Sequence, residues 1–277
     1  MLTNFLRSIA NVSRALRLVG HLIKGLLMAM VLFRYLKPQE RDGIVTQWSL
    51  HCLRILHVHV RTKGERPPHG ATGILFVANH ISWIDVLALN AIRPMRFVAK
   101  AEVRNWPVIG QLASRVGTLF FKRHHPHQLL CVNRLMQSAL QRGHCVALFP
   151  EGTTSPGDTV LRFHSGLFES AVGSQTLVWP IALRYHHADG SVAHQAAFVG
   201  DQTLIESIRR VLSRPALHLD IHFLPSFAGS QRDRYELAHR ARAVILSAFR
   251  AQPHLPMPEL SSADSSIDWS DEPSAAS

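Results

Sequence analysis

Cysteine is scarce in this 277-residue chain, limited to Cys52, Cys131 and Cys145. The three are scattered and share neither a metal-ligand nor a redox spacing, so no disulfide framework is implied and a reducing compartment fits. Charge is also thin, at 18% of residues against 47% hydrophobic ones. That supplies a substantial core and is apolar for a soluble enzyme, yet far below a polytopic membrane protein. Long apolar runs are missing. In the N-terminal region the uncharged stretch extends only from Gly25 to Phe33, too short for a bilayer that needs roughly 20 apolar residues. Acidic residues are absent from positions 1 to 37, the first being Glu40. No internal repeat is present.

What remains is basic. The net charge of +11 attracts something anionic: nucleic acid, anionic lipid or an acidic carrier protein. No helix-turn-helix, zinc-finger or RNA-binding signature accompanies the cations, so nucleic acid is not expected. Leu16, Val19, Leu22, Ile23, Leu26, Leu27, Met30 and Phe33 recur at helical spacing, with Arg14, Arg17, His21 and Lys24 on the other face. The expectation is a cationic amphipathic helix lying in an anionic membrane interface. The plainer reading is a stripe that packs on the domain. A cleaved signal peptide is not expected, because Arg34, Tyr35 and Leu36 stand where small residues should.

A second helix is predicted from Gln39 to Leu56, leading into the alternating His57–Arg61. Strands and helices then interchange. Strands are predicted at Ile74–Ala78, Arg96–Ala99, Thr118–Lys122, Cys145–Phe149, Leu177–Leu183, Ala196–Val199 and Leu217–Phe223. Helices are predicted at Ser82–Asn90, Pro107–Ala113, Pro126–Gln141, Gln202–Leu212 and Asp233–Arg250. This alternation specifies an α/β layer fold with a mixed, largely parallel sheet flanked by helices. The expected organisation is a basic amphipathic segment over 1–56, one α/β domain over 57–251, and a disordered tail rich in Pro, Ser and Asp over 252–277.

The sharpest motif is Asn79-His80-Ile81-Ser82-Trp83-Ile84-Asp85. It places His80 at the carboxyl end of a buried strand, where open α/β sheets bind ligands. Asp85, in the first turn of the following helix, can reach back to His80. A carboxylate on one imidazole nitrogen fixes the tautomer and leaves the other nitrogen as a base. The same spacing also reads as a helix cap, with Ser82 as N-cap and Asp85 three residues on, and spacing alone leaves the two readings level. Glu151, in Phe149-Pro150-Glu151-Gly152-Thr153-Thr154-Ser155, likewise follows an apolar strand. Lys122 and Arg123 end Gly117–Arg123, and Val178-Trp179-Pro180-Ile181 lies in a further apolar segment.

These four blocks, in this order, resemble the glycerolipid acyltransferase superfamily, and specifically the bacterial 1-acylglycerol-3-phosphate (lysophosphatidate) acyltransferases. The resemblance implies a reaction that moves a fatty acyl group from acyl-CoA or acyl-carrier protein to the hydroxyl of a lysolipid. Lysophosphatidate is the leading acceptor, with lyso-ornithine lipid or another lysolipid as the alternative. It implies His80 as general base and Asp85 as its partner. Arg123, beside Lys122, would hold the acceptor phosphate, and Glu151, Gly152 and Thr153 would lie in the acceptor site. Lys100, Glu102, Pro107 and Gly110 match the segment between the first two blocks, and Pro180 would shape the acyl site. A peripheral or monotopic place on the cytoplasmic face of the inner membrane follows, with no resident cofactor. An acyl thioester is already activated, so one base, an oxyanion stabiliser and good positioning suffice. Arg162-Phe163-His164-Ser165-Gly166 lacks the leading glycine of a nucleophile elbow, which disfavours an acyl-serine route. Two positions depart from the family pattern. Thr154 stands where many lysophosphatidate enzymes carry arginine, and His164 where they carry lysine. The remaining class is a basic peripheral protein without catalysis. His124-His125-Pro126-His127 and the trio His218, Asp220 and His222 read as solvated on a basic surface rather than metal-binding.

Overall fold

The computed structural model describes residues 2–122, 126–172, 176–213, 216–230 and 232–251. Arg123, His124, His125 and the tail from 252 onward lie outside the described residues. The chain opens with two helices, α1 (Leu2–Val31) and α2 (Pro38–Leu56), followed by β1 (Val58–Lys63) and β2 (Ile74–Ala78). Next come α3 (Ile84–Ile92), β3 (Arg96–Lys100), α4 (Ile109–Arg115), β4 (Leu119–Phe121) and α5 (Pro126–Gln141). The remaining elements are β5 (Val146–Leu148), β6 (Leu177–His186), α6 (Leu204–Leu212), β7 (Leu217–Phe223), β8 (Phe227–Ala228) and α7 (Arg234–Arg250).

The strands form one mixed sheet in the order β1-β7-β6-β2-β5-β3-β4, with β8 against β6. β6, β2, β5, β3 and β4 run parallel, so their carboxyl ends share one edge. β2 is buried throughout and alternates between two cores: Ile74, Phe76 and Ala78 face one side, Leu75 and Val77 the other. A strand covered on both faces reads as a continuous apolar run for this reason. Helices accordingly flank the sheet on both sides, giving the mixed, mostly parallel α/β architecture anticipated from the alternation.

Pro180 lies inside a central strand, where a missing N–H is ordinarily disruptive. It is tolerated here because β6 changes its antiparallel neighbour at that point. Leu177 and Val178 pair with β8, whereas Ile181 onward pairs with β7. Pro180 falls in the gap, and its carbonyl accepts from Leu224 N–H at 3.0 Å.

The segment Ala196–Val199 is not a strand. A 3-10 turn runs over His194–Ala196, and the backbone that follows bonds to the loops after β2 and β5 instead. Phe198 N–H donates to Ile81 O at 2.9 Å, and Phe198 O accepts the Thr154 hydroxyl. Local β propensity could not reveal that competing set of partners.

α1 lies along the body of the protein. The Arg14 guanidinium is buried and donates to Ile55 O (3.3 Å), Leu56 O (3.1 Å) and Leu212 O (2.7 Å), capping the carboxyl ends of α2 and α6. Leu18, Ala29 and Phe33 point the same way. At Gly25 a Cβ would collide with the Trp48 indole of α2, so glycine is what permits the close approach. Two expectations for α1 therefore change: Arg14 belongs to the inward face, and so do Leu22, which packs against the core, and Phe33. The outward face carries Ile9, Val12, Leu16, Val19, Ile23, Leu27 and Met30, all exposed. No helix among the described residues is long and apolar enough to cross a membrane.

Candidate active site

His80 is delivered by the end of β2. Asn79 extends the β2–β6 ladder with its side chain, donating to Leu183 O at 3.0 Å and accepting from Leu183 N–H at 2.8 Å. That exchange fixes the residue before His80. The loop then turns into α3, and Asp85 folds back on it. Asp85 Oδ2 lies 2.8 Å from His80 Nδ1 and accepts the N–H groups of Ile81 (2.8 Å) and Ser82 (2.9 Å). One carboxylate thus holds both the imidazole and two loop amides, whereas the N-cap of α3 falls at Trp83 rather than Ser82 and has no side-chain cap bond. Because a carboxylate oxygen only accepts, Nδ1 carries the proton and Nε2 has a free lone pair. The His80 side chain is 20% exposed while Asp85 is fully buried, so the dyad presents one face only.

The neighbouring strand end holds His80 from the other side. Phe149 stacks on the imidazole at 4.0 Å between ring centroids and 10° between planes. Glu151 Oε1 accepts His80 N–H at 2.8 Å, and Oε2 accepts Leu161 N–H at 3.0 Å. Burial pushes the Glu151 carboxyl above its ordinary value, against the lowering effect of those two amides and of His80. Glu151 is therefore a buried brace between two loops. Ser155 N–H completes the connection by donating to His80 O at 2.8 Å.

Nε2 opens onto a cavity of about 1580 Å³, larger than the several hundred cubic ångströms typical of small-molecule sites. On one side its wall is apolar, built from α1, α2, α3 and α4 with Leu22, Ala29, Trp48, Leu87 and Leu112. On the other side stand Gly152, Thr153, Thr154, Arg162 and His164, together with Tyr235, His239 and Arg242 of α7. Lys100 and Lys122, at the ends of β3 and β4, also line it. No carboxylate lines the cavity among the described residues. A chain-like apolar group and an anionic group can both be held beside one base.

The sequence-derived site residues distribute as follows. His80, Lys100, Lys122, Gly152 and Thr153 border the cavity, and Asp85 and Glu151 stand behind His80. Pro180 is buried in β6 and is not part of the cavity wall, sharing a sheet face with Val178 and Ala182. Arg123 lies outside the described residues. Among the described residues no group of three His, Cys, Asp or Glu is arranged to hold a metal. Asp220 is instead paired with Arg61 (3.0 Å) and Lys63 (2.7 Å). Sequence reasoning missed Tyr185, whose hydroxyl donates to Asp85 Oδ1 at 2.7 Å. It also missed Tyr235, His239 and Arg242, which enter the cavity from a helix that carries no motif. The available signal for Tyr185 was a polar-tipped side chain near the end of a strand expected to be buried.

Known proteins resemble this chain in sequence and in fold. A family model described as Acyltransferase matches residues 57–184. A lyso-ornithine lipid O-acyltransferase of Pseudomonas aeruginosa is 37% identical over 85% of this chain and 92% of its own. The chain belongs to the acyltransferase family. A 1-acyl-sn-glycerol-3-phosphate acyltransferase of Neisseria meningitidis is 33% identical over 75% of this acyltransferase and 81% of its own length. The crystal structure of the 1-acyl-sn-glycerophosphate (LPA) acyltransferase PlsC from Thermotoga maritima superposes with a TM-score of 0.55. It covers 87% of this chain and 99% of that one at 17% identity, which speaks to the fold alone.

Proposed function

We propose that this acyltransferase moves a fatty acyl group from an acyl thioester to the free hydroxyl of a lysolipid, with His80 as general base. The observation that carries the reading is the His80–Asp85 dyad, whose free Nε2 opens on a large cavity that is apolar on one side and cationic on the other. The acceptor hydroxyl oxygen attacks the thioester carbonyl carbon as Nε2 takes its proton. The new C–O bond forms, the C–S bond breaks, and the proton passes from His80 to the departing thiolate. Activation resides in the thioester, so no resident cofactor is invoked, and acyl-CoA or acyl-carrier protein serves as cosubstrate.

Lysophosphatidate is the acceptor we favour. Lys122 and Arg162 line the cavity, and no carboxylate is among its described lining residues, which suits a phosphate monoester carrying close to two charges. Lyso-ornithine lipid is the second reading. It is supported by the Pseudomonas relative and by Thr154, a position without a cation whose hydroxyl is committed to Phe198 O. Turnover on lysophosphatidate and on lyso-ornithine lipid, with the same acyl donor, tests the assignment. A higher kcat/KM for lysophosphatidate is expected, and a clear preference for the ornithine lipid transfers the acceptor while leaving acyl transfer intact. The exposed apolar face of α1, flanked by Arg17, Lys24 and Arg34, supports a peripheral site on an anionic membrane, which we assign to the cytoplasmic face of the inner membrane.

A further inference from the structure

Asp85 is fully buried, and a buried carboxylate is stable only where donors meet its lone pairs. Three of its four hydrogen bonds fall on Oδ2, from His80 Nδ1, Ile81 N–H and Ser82 N–H, all from one short loop. Oδ1 takes the Tyr185 hydroxyl at 2.7 Å. A carboxylate held through one oxygen retains rotation about its Cβ–Cγ bond, and that rotation changes what it presents to the imidazole. Tyr185 comes from a different element. It stands on β6, the parallel neighbour of β2, and is fully buried without lining the cavity.

We propose that Tyr185 is a positioning residue for acyl transfer: its hydroxyl pins Asp85 Oδ1 and so keeps Oδ2 directed at His80 Nδ1. The inference rests on the reading of His80 as the base. The rigid sheet supplies what the loop alone cannot, a second anchor for the carboxylate from outside its own turn. Burial and the adjacent Asp85 charge raise the Tyr185 phenol well above its ordinary value, so it persists as a neutral donor across the working range of the enzyme. Second contacts of this kind, which orient a catalytic imidazole through its carboxylate, typically matter for turnover more than for binding.

Tyr185→Phe isolates the hydroxyl, because the ring that fills the core is retained. The expected result is a kcat lowered about tenfold, with both KM values within about twofold of the parent's. In an Asp85→Asn background the same substitution should cost nothing further, since the partner through which it acts has gone. A kcat within about twofold of the parent's, or an equal fractional loss in the Asp85→Asn background, overturns the inference. His80→Ala, assayed alongside, separates the two levels: activity retained there overturns the functional reading itself. A second measurement does not depend on how the variant folds. The chain has three tyrosines, and after labelling with 3-fluorotyrosine the Tyr185 fluorine resonance should move on Asp85→Asn while those of Tyr35 and Tyr235 stay. An unmoved Tyr185 resonance counts against the contact.

Discussion

At Asp220 burial and pairing pull in opposite directions. Burial raises its pKa, but the His186 imidazole 3.5 Å away and the hydrogen bonds from Arg61 and Lys63 outweigh that and hold the carboxyl far below the ordinary carboxylate range. A carboxylate whose folded value is depressed adds stability above its unfolded value, near 4, and loses it as pH falls toward the folded value. Arg61 is half exposed, so solvent screens part of the gain. Asp220→Asn should therefore cost about 1–3 kcal/mol at neutral pH. The gap to the parent should narrow progressively below about pH 4. Urea unfolding at pH 7 and pH 3 checks this, and a gap of constant size would refute it. Asp85 offers a second residue-scale test, because its carboxylate serves both the loop amides and His80. Asp85→Asn should lower kcat by about a hundredfold to ten-thousandfold as well as lowering the melting temperature. A purely thermal effect would reduce Asp85 to a cap. His80 and Asp85 were legible in the sequence because their spacing follows a recognisable strand. The buried roles of Glu151 and Tyr185 were not, since partners 71 and 100 residues away are set by the sheet order.

The helix α1 shows what periodicity conveys and what it conceals. Apolar residues at helical spacing correctly signalled an amphipathic helix, but Leu22 and Phe33 of that stripe turn inward, toward a second apolar face. One face, with Leu18, Ala29 and Phe33, packs inward beside the buried Arg14. The other, with Leu16 (68% exposed), Val19, Ile23 and Leu27, points away from the protein. A wheel cannot separate them, because a buried arginine that caps two other helices looks like a solvent-facing one. The two faces should respond differently to the same substitution. Leu16→Glu with Ile23→Glu should release the protein from anionic vesicles with little change in melting temperature. Leu18→Glu should instead destabilise the fold, since a charge would enter the core without a partner. Co-sedimentation and thermal melts of both variants decide it, and unchanged vesicle binding by the double variant would contradict membrane contact through this face. The strands were read more reliably: β2, β6 and β7 are continuous apolar or alternating runs whose burial matches their pattern. Residues 196–199 misled because their backbone is recruited by Ile81 and Thr154 rather than by a strand.

Across the whole molecule, the parallel strands bring His80, Lys100, Lys122 and Glu151 to one sheet edge, and α1, α2 and α7 enclose the space above it. The order of the blocks along the chain was readable, but the enclosure was not, because α7 contributes Tyr235, His239 and Arg242 without any motif. Charge at the polar side should govern the acceptor. Arg162→Ala is expected to raise the KM for lysophosphatidate about tenfold with kcat nearly unchanged, the pattern of lost uniform binding. A fall in kcat at constant KM would move Arg162 from binding into the chemical step. Whether His80 is the base is decided by acyl-thioester-dependent acylation of a lysolipid by purified protein, compared between the parent and His80→Ala. Turnover by the parent and a loss of at least about a hundredfold in a His80→Ala variant that melts normally are expected, whereas near-parental turnover by that variant would remove His80 from the role of base.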